Sequence, residues 1–216
     1  VPFLGTTEAR ADLHYDRGEM RARQFPLVFA LFLLPSTANA QPANQAAGMY
    51  LYGISAGVGE RSTSGTLHDA SLPPNVGQPP SSHAVGVLDL SGGFTFAKRL
   101  GALALLEQAG GADTATGNWG TLGIHGVVRA WVAPRVWVEG GVGSLMLGYR
   151  PPSGSGNNGV TRLWTVSPEI SAGGAIFQGE HVAIDVIGRY VQGAFDDFTV
   201  RHFSVQIELL GRGPVK

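Results

Sequence analysis

The charged side chains of this chain are few and scattered, and their setting limits the chemistry they could do. Asp89, His125, Arg129, Glu139, Glu169, Asp185, Arg189, His202 and Glu208 are isolated charges of both signs among small residues. Charges in an interior are tolerated only when paired and hydrogen-bonded, so Arg129 and Arg189 are expected to pair with Glu139, Glu169, Asp185 or Glu208. The absence of Cys excludes disulfides, thiolate catalysis and Cys-ligated zinc. His68, His83, His125, His181 and His202 follow no ligand spacing, so no metal site is expected. Gly57-Val58-Gly59 and Gly140-Gly141-Val142-Gly143 precede no helix and form no phosphate loop; they suit strand curvature or close approach. The Asp196-Asp197 pair suits a solvated turn.

The elements that must position these residues are strands. With 32 glycines and 14% charged residues, the composition opposes helix, where Gly costs roughly 1 kcal/mol per position relative to Ala. Lys plus Arg (15) nearly balances Asp plus Glu (16), so the net charge points to no nucleic-acid surface.

From Met20 the chain reads Met20-Arg21-Ala22-Arg23, then an apolar run from Phe25 to Leu34, then Pro35-Ser36-Thr37-Ala38-Asn39-Ala40. These are the charged n-region, short h-region and A-x-A site of a secretory signal peptide, with Ala38 and Ala40 marking cleavage after Ala40. An apolar run of about ten residues is half the roughly twenty that span a bilayer as a helix. Residues 1–19 are polar and read as a translated upstream extension, residues 20–40 as the signal peptide and residues 41–216 as the exported barrel.

After Ala40 the pattern is period-two alternation broken by turn residues. Eight strands are predicted: Met49 to Glu60, His83 to Phe96, Gly101 to Gln108, Trp119 to Val132, Val136 to Tyr149, Leu163 to Phe177, His181 to Phe195 and Phe198 to Leu210. Long polar connections (61–82, 109–118, 150–162) alternate with tight turns at 97–100, 133–135 and 178–180, and the last connection, at Asp196-Asp197, is short. Such sorting of loops is a mark of outer-membrane barrels.

The strand faces agree. In the seventh strand Val182, Ile184, Val186 and Tyr190 oppose Ala183, Asp185, Ile187 and Arg189; in the eighth, Phe203, Val205, Ile207 and Leu209 oppose His202, Ser204, Gln206 and Glu208. A face of small residues and sparse charges suits a narrow lumen better than a water-exposed surface, which favours a denser coat of Lys and Glu. Trp119, Trp131, Trp137 and Trp164 lie near strand ends and are expected to form an aromatic rim. The twelve steps from Trp119 to Trp131 give roughly 28 Å of height, near the apolar band of about 25 Å. Strict alternation, however, puts Trp119 and Trp131 on the face of His125 and Arg129, so either a bulge shifts the register or these two are not rim residues.

The fold class predicted is all-β, an eight-stranded antiparallel up-and-down transmembrane β-barrel. Over about Tyr50 to Leu210 the chain resembles the small outer-membrane barrels typified by OmpX and the transmembrane domain of OmpA. The resemblance implies a monomer in the outer membrane, its N-terminus in the periplasm, long loops outside the cell and a lumen plugged by side chains. It also implies outer-membrane lipids and the barrel-insertion machinery as partners. Barrels of this kind end on an aromatic residue recognised by that machinery; here Gly211-Arg212-Gly213-Pro214-Val215-Lys216 follows the last predicted strand.

His202-Phe203-Ser204 is similar to the His and Ser of the lipid A 3-O-deacylases, also eight-stranded barrels, in which His activates Ser for attack on an acyl ester. The Asn of that family is Val205 here, and no downstream acid stands at the family spacing. Alternation also turns both residues toward the lumen. The chain therefore reads as non-enzymatic, without cofactor or nucleic-acid partner, in a structural or surface-interaction role. Its first loop is the candidate contact for an extracellular ligand. A small pore, a lipid A-modifying enzyme that would use His202 and Ser204, and a soluble secreted β-barrel are the alternatives.

Overall fold

A computed structural model describes residues 47–67, 79–111, 117–151 and 161–214. The upstream extension, the signal peptide with Ala38 and Ala40, and much of the three long connections lie outside the described residues.

Eight strands form one closed antiparallel barrel in sequence order: β1 (Met49–Gly65), β2 (Ser82–Ala97), β3 (Leu100–Gly110), β4 (Asn118–Ala133), β5 (Val136–Arg150), β6 (Thr161–Gln178), β7 (Val182–Phe195) and β8 (Phe198–Pro214). All eight predicted strands are present, and the corrections are at their ends. Arg61 to Gly65, assigned by sequence to the first long connection, continue β1 against β8. Gly211 to Pro214, read as a tail, pair with Met49 to Tyr52 and complete the closure. Pairing explains both extensions, because an unpaired end of either strand would leave an open edge in its partner.

Followed from partner to partner around the barrel, the hydrogen-bonded row that leaves β1 at Glu60 passes through Phe203, Tyr190, Ile170, Gly140, Val128, Ala102 and Phe94 and returns to β1 at Tyr50. A displacement of ten residues at about 3.3 Å each, against eight strands about 4.8 Å apart, tilts the strands by about 40°. Register shifts at Thr95/Ala97, Trp131/Ala133 and Ala175/Phe177 all fall at the end with the tight turns. The β7–β8 turn is made at Asp196, which adopts φ of 45°, a conformation Asp tolerates better than most residues.

The outer wall is apolar: Val142, Val166 and Ile170 are 65%, 74% and 62% exposed, with Ile54, Val58, Leu90, Ile124 and Ile207 alongside them. An aqueous protein does not leave a continuous coat of this kind outside while burying its charges, whereas a closed barrel in hydrocarbon must. The interior is layered. At the tight-turn end Leu51, Leu103, Trp131, Trp137, Ile187 and Leu210 form an apolar cluster. At the long-loop end Leu67, Trp119, Leu147, Tyr149, Phe198 and Val200 form another. The ion-paired side chains lie between them.

Candidate functional site

The interior charges come from all eight strands, each delivered by the same parity that turns its neighbours outward. Asp89, His125, Arg129, Glu139, Glu169, Asp185, Arg189, His202 and Glu208 are all buried, none more than 3% exposed. The structure adds Glu107 from β3, Arg61 from β1 and Arg212 from β8, which the sequence reading did not place inside.

Two arginines organise the cluster. Arg129 lies 2.7 Å from its register partner Glu139 and 3.3 Å from Glu208 on the far side of the barrel. Arg189 binds Asp89 closely, Glu169 at 3.2 Å and Glu139 at 3.5 Å, so Glu139 is shared by both guanidinium groups. Hydroxyls satisfy further lone pairs: Ser171 donates to Glu139 at 3.0 Å, Ser91 to Glu208 at 3.0 Å and Ser55 to Asp89 at 3.2 Å. Each pair spans different strands, and at low dielectric such contacts hold only as a complete set.

The Trp residues depart from the predicted rim. Trp119, Trp131 and Trp137 are buried inside the barrel, and only Trp164, 55% exposed, faces outward. The register shift at Trp131/Ala133 falls beyond Trp131, so nothing reverses parity between Trp119 and Trp131 and both stay on the face of His125 and Arg129. Trp137 has a polar reason to be inside, for Asp185 accepts its indole N–H. Trp119 instead packs against Tyr149 in the long-loop cluster, ring centres 4.7 Å apart and planes tilted by 46°.

His202 and Ser204 are not arranged as base and nucleophile. His202 Nδ1 lies 3.1 Å from Glu107, an orienting acid supplied by a distant strand, yet its Nε2 makes no hydrogen bond. Ser204 is fully buried and accepts from Gln206 at 2.9 Å. The His125 ring lies against Gly123 and Gly143, and among the described residues no three His, Asp or Glu side chains converge as metal ligands. Arg61 crosses the lumen to the Trp119 carbonyl at 2.9 Å and meets His83 at 2.5 Å.

No protein-family model matches the chain, and no curated protein matches it. Solved structures do. Neisserial surface protein A (NspA) matches with a TM-score of 0.55 at 12% identity, over 76% of this chain and 97% of its own. Ail, the attachment invasion locus protein of Yersinia pestis, in its complex with the heparin analogue sucrose octasulfate, matches with a TM-score of 0.53 at 12% identity, over 74% and 98%. The fold is that of the small outer-membrane β-barrels.

As a small outer-membrane barrel by fold, the chain wraps its greasy wall around a polar middle layer. Three buried charges escaped the sequence reading for identifiable reasons. Arg61 and Arg212 fell in segments read as loop and tail, although each continues the inward parity of its strand, from Ser55 and from Glu208. Glu107 sits on β3, where Leu103 and Leu105 point inward and Leu106 outward, so apolar residues on both faces hide the alternation.

Proposed function

We propose that the chain is an integral outer-membrane protein that acts through its outer surface and loops, with a lumen held shut by its own side chains. The observation that carries this reading is the pair of apolar clusters, one at each end of the barrel, enclosing a fully buried set of ion pairs. Eight strands leave an interior just wide enough for side chains, and here bulky ones occupy both ends. The outward apolar coat supports lipid as the surrounding medium. The burial of Ser204, away from any lipid approaching the outer wall, weighs against a lipid-modifying role.

The test is fractionation of cells expressing the full chain, followed by gel migration with and without boiling in detergent. The reading predicts recovery in outer-membrane pellets and a change of migration on boiling. Recovery in the soluble fraction would refute it.

A further inference from the structure

The geometry points to a binding groove on the outer wall for the phosphorylated headgroup of an outer-leaflet glycolipid, with Arg150 and Arg162 as its anion-binding residues. This rests on the outer-membrane placement proposed above. A groove of about 370 Å³ opens outward across the long-loop ends of β3, β4 and β5, and among the described residues no Asp or Glu lines it. Arg150 stands at its edge opposite Asn118. Arg162 is the register partner of Gly148 in the groove floor, which makes it a diagonal neighbour of Arg150, at roughly 7–8 Å with the Cβ atoms somewhat nearer. Both arginines are exposed.

The two lips differ in character. Toward the bilayer lie Leu122, Met146 and, beside Met146, the outward-facing Trp164; toward the long loops lie Asn118, Arg150 and Arg162. With strands tilted by about 40°, each step from β3 through β6 climbs about 3 Å toward the long-loop end, so the groove rises out of the apolar band to its cationic end. That profile suits an amphiphile whose chains stay in hydrocarbon and whose head is anionic. The three steps from β3 to β6 span about 14 Å, more than one glycerophosphate occupies, and the two forked guanidinium groups match two phosphates on a sugar backbone.

The experiment measures retention of purified diphosphorylated lipid A by the folded full-length barrel in detergent micelles, by native mass spectrometry. Dephosphorylated lipid A and phosphatidylglycerol serve as comparisons. Lipid A is expected to be retained about tenfold better than either, and the Arg150→Gln/Arg162→Gln variant to lose about tenfold or more of that retention. Gly120→Leu should weaken retention too, because its Cβ would meet nothing nearer than the Ala109 carbonyl at 3.5 Å and the new side chain fills the groove. Gly92→Leu, whose Cβ would meet nothing within 4 Å elsewhere on the wall, should leave retention unchanged. Equal retention of phosphatidylglycerol, or retention unaltered in both groove variants, would overturn the proposal. The boiling shift, run on every variant, reports membrane-barrel folding separately, so failure of the groove and failure of the placement are told apart.

Discussion

Trp137 donates its indole N–H to Asp185 across the barrel interior at 2.8 Å, while the guanidinium carbon of Arg129 lies 3.8 Å from the centre of its ring. One side chain thus serves a carboxylate at its edge and a cation on its face. Its register partner is Gly173, where a Cβ would lie 2.2 Å from the indole, so the glycine makes the room that the ring fills.

Trp137→Phe should keep most of the packing but leave Asp185 without its donor. The expected loss is about 1–3 kcal/mol, read as a lower midpoint of urea unfolding in lipid vesicles. Gly173→Val should lower the midpoint as well by displacing the ring. Unchanged midpoints in both variants would show that Trp137 is not held inside the barrel.

Arg189 carries three carboxylates, Asp89, Glu139 and Glu169. Arg189→Met should destabilise the barrel by about 3–5 kcal/mol, because Asp89 and Glu169 stay buried without their cation. Adding Asp89→Asn and Glu169→Gln to Arg189→Met should recover part of that loss, which a double-mutant cycle on the unfolding midpoint would detect. Strict additivity would argue against a coupled cluster.

Two apolar clusters closing the interior predict electrical silence in planar bilayers, for the wild type and for Arg189→Ala alike. Steady openings in the wild type that vanish in Arg189→Ala would establish a charge-gated pore in place of the plug.

Parity carried most of what the sequence made legible. The residues from Met49 to Leu210 alternate strongly enough that strand number, order and the inward set of β7 and β8 follow directly, because a one-residue slip would move every side chain to the other face. The same parity already placed Trp119 and Trp131 with His125 and Arg129. The rim expectation failed by ranking position along the strand above the face on which each ring stands. The layering of the interior was not legible, since Trp131 of β4, Trp137 of β5 and Leu210 of β8 meet only after closure, and their sequence separations give no hint of it. Nor was the encounter of His202 with Glu107, 95 residues apart, which depends on the lumen being narrow enough for β8 to reach β3.

Because the chain contains no Cys, single Cys substitutions can carry nitroxide labels without interference. Labels at Val142, Val166 and Ile170, three outward positions in β5 and β6, in the protein reconstituted in bilayers, report whether the apolar wall meets lipid or water. Collision with dissolved oxygen and protection from a water-soluble nickel reagent at all three sites is the predicted result. Ready collision with the nickel reagent at these sites would mean that the apolar wall faces water, and the account of a lipid-facing barrel would fail.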